Sequence, residues 1–184
     1  MTAKNILITG GAGFIGTRLA LQLIEKGHKI TVLDNLSPQI HGSAETSVLY
    51  QEIKDKVNFI LGDVQNKSDW ELAIKDQQIV VHLAAETGTG QSMYQIEKYS
   101  NVNVSGTSIL LDILTNTTHS IEKVIVASSR AIYGEGRYFS PSLNQSVYPL
   151  GRTEENMLKG DFEVKCPITG EDAIMEKTDE ASRI

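Results

Sequence analysis

The sequence is short of cysteine, of basic residues and of long apolar runs, and each shortage excludes a class of protein. Its 184 residues include one cysteine, Cys166, so no disulfide can form within the chain and a reducing cytoplasm is the expected setting. The formal net charge of −6 argues against a general nucleic-acid-binding role. No apolar run is long enough to span a membrane, and we find no signal peptide.

Strand and helix patterns alternate through the first two thirds of the chain, which predicts a parallel sheet with helices on both faces. The predicted strands cover residues 4–9, 29–34, 57–61, 79–83 and 122–128. The predicted helices cover residues 14–26, 67–75 and 94–116, with a possible short helix over 43–54. Right-handed crossovers give the strand order 3-2-1-4-5, so the expected fold is a Rossmann-type doubly wound α/β sheet, truncated after about five strands.

The character of the sequence changes after Gly134. Three of the four prolines follow it, and only short apolar patches remain among many polar residues. We therefore predict that the Rossmann-type domain covers residues 1–134 and that a loop-rich, irregular insertion or tail covers 135–184. Because a long structureless run is unusual in a compact domain, this segment should pair partly with itself or lack a partner.

The segment Thr9–Gly16, Thr-Gly-Gly-Ala-Gly-Phe-Ile-Gly, directly follows an apolar run and opens a helix pattern. Gly10 permits a tight turn, Gly13 lets the backbone approach a phosphate, and Gly16 allows close packing of the helix. The amides at the start of that helix would point at the anion. The pattern predicts a pyrophosphate site, with an ordinary structural loop as the alternative.

Two carboxylates follow the second and third predicted strands. Asp34 can accept both hydroxyls of an adenosine ribose and would repel a 2′-phosphate, which favours NAD over NADP. Asp63 can accept a hydrogen bond from the adenine amino group, or it can cap the helix that begins near Ser68. Both roles of Asp63 can hold together.

The fourth strand leaves the sheet through small residues that allow a close approach of backbone to cofactor. His82 lies in an apolar stretch, so we interpret it as a hydrogen-bonded core histidine rather than a catalytic one. In the polar loop that follows, Gln91 and Ser92 could meet substrate hydroxyls or could simply be solvated. Asn103 and Gly106 are poor helix formers in a helix pattern, which indicates a hydrogen-bonding or packing role.

The exit of the fifth strand carries two adjacent serines, Ser128 and Ser129. At the same edge of the sheet as the glycine turn, a serine hydroxyl could bond a substrate oxygen whose protonation changes during hydride transfer. The alternative is that the two serines merely end a strand.

Together these segments resemble the extended short-chain dehydrogenase/reductase family, and within it the nucleotide-sugar epimerases and dehydratases. The matching segments are Thr9–Gly16, Asp34–Leu36, Gly62–Val64, His82–Ala85, Asn103–Thr107 and Ser128–Gly134. The resemblance implies Ser129 as the active-site serine. It also implies NAD binding at Gly10, Gly13, Phe14, Ile15, Gly16, Asp34, Asn35, Asp63, Val64, Leu83, Ala84 and Ala85. To these candidate NAD-binding residues we add Asn103.

The resemblance also narrows the reaction class. Dehydratases of this group carry an Asp-Glu pair just after the active-site serine or threonine, where this chain has Arg130 and Ala131. The segment from Ser128 to Gly136 looks more like that of the 4-epimerases. The loop Glu86–Ser92 and the insert with Tyr148-Pro149 and Cys166-Pro167 resemble the branch of 4-epimerases for dTDP-L-rhamnose or UDP-glucose. The resemblance therefore implies a UDP- or dTDP-linked sugar as partner. Relatives in that branch can carry several cysteines suggestive of a zinc knuckle, but Cys166 alone cannot form a tetrahedral site, and we expect no metal.

One family motif, the catalytic Tyr-x-x-x-Lys, does not follow Ser129. Tyr50 and Tyr94 fit the spacing but precede that serine, and we interpret them as accidental helical pairs. Tyr133 and Tyr148 have arginine at the lysine position, which is a poor replacement.

We therefore expect an N-terminal piece of an epimerase, without its substrate lobe and inactive alone. The alternatives are a non-catalytic dinucleotide-binding or interaction module, or a dehydratase or reductase of the same family. The fifth strand would be an exposed edge, which a homodimer or residues 137–184 could cover.

Overall fold

The computed structural model describes residues 2–179 and 181, and the chain divides into two compact units, residues 1–127 and 128–184. The boundary that composition places after Gly134 lies inside the second unit. Each unit has its own sheet and its own apolar core. The two are therefore described separately.

The first unit is built on a five-stranded parallel sheet. The strands are β1 (Asn5–Thr9), β2 (Lys29–Asp34), β3 (Asn58–Leu61), β4 (Ile79–His82) and β5 (Lys123–Val126). Their order in the sheet is β3-β2-β1-β4-β5, and every neighbouring pair is parallel. This confirms the predicted order and the Rossmann-type doubly wound fold. Within the described residues β5 pairs with β4 alone, so it forms one edge of the sheet.

Seven α-helices connect these strands. They are α1 (Phe14–Glu25), α2 (Pro38–His41), α3 (Val48–Ile53), α4 (Lys67–Ile74), α5 (Thr89–Ser92), α6 (Ile96–Ser100) and α7 (Gly106–Asn116). The helix predicted over 94–116 begins later and contains a π-helical turn, Asn101–Ser105, between α6 and α7. None of the helices in the described part of the chain is long and apolar enough to cross a membrane.

Apolar side chains cover both faces of the sheet, as alternation along β1 requires. Leu7 packs on one face with Leu33 and Trp70, whereas Ile6 and Ile8 pack on the other. The indole Nε1 of Trp70 donates a hydrogen bond to a backbone carbonyl at 2.8 Å, which satisfies the one polar atom of this buried side chain. Burial on both faces explains why the central strands are continuous apolar runs.

The register of the sheet sets the position of the candidate site. Thr9, the last residue of β1, lies opposite Leu33 of β2 and His82 of β4. The chain leaves all three strands at the same level. The glycine turn after β1, the carboxylate at the end of β2 and the small residues after β4 therefore meet at one edge.

The second unit contains a three-stranded antiparallel sheet of order β7-β6-β8. Its elements are a 3₁₀ turn (Arg130–Tyr133), β6 (Tyr138–Ser140), β7 (Gln145–Val147), α8 (Glu154–Leu158) and β8 (Ile174–Met175). Its core consists of Tyr138, Val147, Val164, Cys166 and Ala173. The segment after residue 134 pairs partly with itself, as predicted from its length.

Candidate dinucleotide site

Contacts with neighbouring backbone require glycine at two positions of the turn after β1. Gly10 has φ +65°, and a Cβ there would lie 2.8 Å from both Cα and N of Ala84. A Cβ on Gly16 would lie 2.5 Å from the carbonyl oxygen of Gly10. The first glycine brings the exit of β4 against the turn, and the second lets α1 start directly on top of it.

Gly13 has a different role, because it is half-buried at the start of α1 and less tightly packed than Gly10 and Gly16. It is the N-cap of α1, and a Cβ there would approach only the carbonyl oxygen of Gly10, at 3.2 Å. The amides of Phe14 and Ile15 lie in the first helical turn and have no carbonyl of the helix to donate to. The side chains of these two residues are 73% and 67% exposed. The arrangement presents backbone N–H groups and the positive end of a twelve-residue helix to an anion.

The carboxylate of Asp34 is buried beside this turn and is held by backbone amides. Its Oδ2 accepts from the amide of Ala12 at 3.0 Å, and its Oδ1 accepts from the amide of Leu36 at 2.9 Å. A carboxylate offers about four lone-pair positions, so two amides leave room for two hydroxyl donors. Asp34 can thus accept hydrogen bonds from the two hydroxyls of a ribose.

Asp63 lies next to the same loop through a side-chain contact. Asn35 Nδ2 donates to Asp63 Oδ2 at 2.9 Å, and the amide of Gln65 donates to Asp63 Oδ1 at 2.9 Å. Helix α4 begins after Asn66, so Asp63 is a turn aspartate and does not cap that helix. Val64 is buried, and its Cγ2 lies 3.0 Å from where a Cβ on Gly106 would be.

His82 is a hydrogen-bonded core residue, as expected from its place in an apolar strand. Its Nδ1 is 2.6 Å from the hydroxyl of Thr9, and its Nε2 is 3.1 Å from the hydroxyl of Thr107. Burial lowers the pKa of His82 below its ordinary value, so the ring stays neutral. The Thr9 hydroxyl also accepts from the amide of Ala84 at 3.2 Å. His82 therefore helps to fix the exit of β4.

The loop after β4 passes through Leu83, Ala84 and Ala85 and is held at its far side by Asn103. Asn103 Oδ1 accepts from the amide of Glu86 at 2.8 Å, and its Nδ2 donates to the carbonyl of Glu86 at 3.1 Å. This residue sits in the π-helical turn, a feature often found at functional sites. The predicted hydrogen-bonding role of Asn103 is confirmed, and it is a loop-to-helix link.

Gln91 and Ser92, the two candidate substrate contacts, are both engaged within the protein. Gln91 Oε1 accepts from Gln39 Nε2 at 2.8 Å and from the hydroxyl of Tyr99 at 3.1 Å. The Ser92 hydroxyl donates to the carbonyl of Thr89 at 2.8 Å. Gln39 and Tyr99 were not singled out from the sequence, because an amide in a loop and a tyrosine in a helix carry no local signal of a partner.

The family comparison agrees with this geometry. Residues 6–155 match the NAD dependent epimerase/dehydratase family. The chain belongs to this family. It is 39% identical over 163 residues to dTDP-L-rhamnose 4-epimerase of Burkholderia thailandensis, covering 86% of this chain and 44% of the relative. It is 33% identical over 147 residues to a putative UDP-glucose 4-epimerase of Methanocaldococcus jannaschii, covering 79% of this chain and 45% of the relative.

Solved structures of 4-epimerases share the fold of this family member. UDP-glucose 4-epimerase of Thermus thermophilus in complex with NAD superposes with a TM-score of 0.60 at 31% identity, covering 71% of this chain and 39% of that one. The Brucella ovis enzyme in complex with NAD gives a TM-score of 0.55 at 34% identity, covering 73% and 38%. The chain spans less than half the length of these relatives.

Ser129, the candidate catalytic residue of this family member, belongs to the second unit. Its Oγ accepts from the amide of Ala131 at 3.1 Å and so caps the short 3₁₀ turn. The side chain is exposed, so its hydroxyl hydrogen is free to donate outward. Capping of the 3₁₀ turn is a sufficient structural reason for a serine at this position, and it does not require a catalytic role.

The tyrosines considered for the Tyr-x-x-x-Lys motif make other contacts or lie outside a helix. Tyr148 donates its hydroxyl to Asp179 at 3.2 Å, and burial together with that carboxylate raises the pKa of Tyr148. A raised pKa makes Tyr148 unsuitable as a general base. Tyr50 lies in α3 with its ring packed on Phe59. Tyr94 lies in a turn before α6, so the helical interpretation is wrong for it.

Proposed function

We propose that this chain binds NAD at the carboxyl edge of its parallel sheet. The observation that carries the proposal is the conjunction of an open helix N-terminus at Gly13 with the buried Asp34 carboxylate. Asp34 accepts a hydrogen bond from Ala12 in the same turn. A diphosphate needs the first feature and an adenosine ribose needs the second. The register of β1 and β2 places both at one edge of the sheet.

Different residues of the site would contact different parts of the dinucleotide. The amides of Phe14 and Ile15 would hold the diphosphate, and Asp34 would accept the ribose hydroxyls. Asp63, linked to Asn35, would accept from the adenine amino group. The loop Leu83–Ala85 would line the nicotinamide half. The negative charge of Asp34 disfavours a 2′-phosphate, so NAD should bind more tightly than NADP.

The reaction we propose is that of a nucleotide-sugar 4-epimerase. NAD held by the glycine turn and Asp34 would supply the hydride chemistry that such an epimerisation needs at C4 of the sugar. Ser129 would hydrogen-bond the oxygen whose protonation changes. Arg130 and Ala131 stand where dehydratases carry their acid and base, which argues against water elimination. The names of the matched relatives, 4-epimerases for dTDP-L-rhamnose and UDP-glucose, support a UDP- or dTDP-linked sugar as substrate.

We further propose that the 184-residue chain binds NAD without turning over a sugar nucleotide by itself. The supporting observation is that no Tyr-x-x-x-Lys follows Ser129 in this sequence. Tyr148, which has arginine at the lysine position, is committed to Asp179. The same observation favours a second candidate function, a non-catalytic dinucleotide-binding module. Adding a separately expressed C-terminal half of a 4-epimerase distinguishes them, because restored epimerisation favours the enzyme.

Titration calorimetry with NAD and with NADP tests the binding proposal directly. The wild-type chain should bind NAD, and Asp34→Asn should bind it about tenfold or more weakly, because a hydrogen bond to a charged group contributes about 1.5–3 kcal/mol. Asp55→Asn removes an exposed carboxylate elsewhere in the unit and should change nothing. Folded wild-type protein that gives no heat with millimolar NAD would overturn the proposal.

A further inference from the structure

A buried histidine lies against the carboxylate of Asp34 and has no role in the site described so far. His41 ends the short helix α2, and both His41 and Asp34 are only 8% exposed. The ring Nε2 of His41 lies 3.6 Å from Asp34 Oδ1. We propose that His41 is a positioning residue that orients the Asp34 carboxylate and so sets the preference for a ribose with a free 2′-hydroxyl. This inference rests on the proposed binding of NAD.

The second ring nitrogen of His41 contacts a hydroxyl. Its Nδ1 is 3.1 Å from the hydroxyl of Ser47, and that hydroxyl oxygen accepts from the amide of Tyr50 at 3.4 Å. A hydroxyl can donate to Nδ1, and the tautomer that accepts this bond carries its proton on Nε2, facing Asp34. The opposite tautomer would turn a lone pair toward the carboxylate of Asp34. The contact with Ser47 is thus compatible with the form of His41 that attracts Asp34.

The ring lies on one side of the carboxylate, at the oxygen named Oδ1. The amides of Ala12 and Leu36 each donate to one oxygen of Asp34, and His41 faces Oδ1, the oxygen that Leu36 also contacts. At 3.6 Å the contact is longer than a hydrogen bond, so its contribution is electrostatic and is strengthened by burial.

The backbone of the same loop is held in an uncommon conformation. Leu36 has φ +49°, which is unusual for a large side chain and persists only where the surroundings impose it. Asp34 and His41 lie on the two sides of this residue in sequence, and their contact closes the loop. Removing the ring should let both the loop and the carboxylate relax.

The test compares NAD with its 2′-deoxyadenosine analogue, which has the same diphosphate and nicotinamide but lacks the hydroxyl. By calorimetry the wild-type chain should prefer NAD, and His41→Leu should reduce the ratio of the two Kd values by about threefold to tenfold. His41→Gln places an N–H donor near the position of Nε2 and should restore most of the ratio. His119→Leu, an exposed histidine before the start of β5, is the matched control and should leave the ratio unchanged.

The outcomes separate this inference from the proposed function. If the wild-type chain does not bind NAD, the proposed function fails and the inference fails with it. If the wild-type chain prefers NAD and His41→Leu keeps that preference, or weakens both ligands equally, the inference alone is overturned. Should His41→Leu not fold, Ser47→Ala keeps the ring but removes its orienting hydroxyl, and it should lower the same ratio.

Discussion

Gly13→Ala should separate anion binding from folding, because a Cβ on Gly13 would meet one backbone atom at 3.2 Å whereas those on Gly10 and Gly16 would clash below 3.0 Å. Its backbone, φ −73° and ψ 175°, is one that alanine adopts readily. A Cβ would meet only the carbonyl of Gly10, at 3.2 Å. Losing glycine at an N-cap costs about 0.5–1 kcal/mol, and the stiffer unfolded chain offsets about 0.4–1 kcal/mol. The free energy of unfolding should therefore change by less than about 1 kcal/mol.

The effect on NAD should be much larger than the effect on stability. The added methyl group would stand where a diphosphate must approach the amides of Phe14 and Ile15. Losing one charge-assisted hydrogen bond of about 1.5–3 kcal/mol weakens the Kd by about tenfold to a hundredfold. Binding is measured by calorimetry. Stability is measured by urea unfolding, monitored through the fluorescence of Trp70, the single and fully buried tryptophan.

Gly27→Ala supplies the matched control. Gly27 follows α1 with φ +84° and has nothing within 4 Å of a Cβ, so the substitution adds left-handed strain of about 1–2 kcal/mol and no clash. It should lower stability and leave the Kd of the folded protein unchanged. If folded Gly13→Ala protein binds NAD as tightly as wild type, the diphosphate does not lie at this turn and the reasoning is refuted.

Two further predictions concern the packing beneath the site. Gly10→Ala should lower the free energy of unfolding, measured in urea, by about 1–3 kcal/mol more than Gly27→Ala does. Both residues have positive φ, but only a Cβ on Gly10 would lie 2.8 Å from Ala84. Equal effects of the two substitutions would contradict the close approach of Ala84 to Gly10. Because burial lowers the pKa of His82, the unfolded state binds the extra proton. The free energy of unfolding should therefore fall as pH drops below 6.5, the ordinary pKa of histidine. The fall should be shallower in His82→Gln. If the free energies of unfolding of the two proteins change with pH in parallel, His82 does not contribute to the pH dependence.

The fold of the first unit could be predicted because its signals are local and repeated. Apolar runs of strand length alternate with helical periodicity, and crossover handedness reduces the possible strand orders to the observed one. The π-helical turn at Asn101–Ser105 could not be predicted in the same way. The residues on either side of this turn each keep a helical pattern, so the sequence over 94–116 still indicates a single continuous helix.

The candidate site was predictable where a residue type has one physical reason to be present. Gly10 and Gly16 are required by contacts shorter than a Cβ permits, and the position of Asp34 follows from the end of β2. The contact of His41 with Asp34 could not be predicted, because the segment after β2 has no helical or strand periodicity. The positive φ of Leu36, between these two residues, has no signal in the sequence either. The second unit was also beyond prediction in detail, since strands such as Ile174–Met175 are too short to show alternation.

Thr9 connects the glycine turn to the core of the sheet. Its hydroxyl contacts His82 inside the core and accepts from the amide of Ala84 at the edge. Ala84 in turn lies against Gly10, which begins the glycine turn. A change in the core at His82 can therefore reach the turn through three contacts, with no substitution at a residue that would touch NAD. Substitutions at Thr9 should thus affect stability and NAD affinity together, whereas substitutions at Gly13 should affect mainly the affinity.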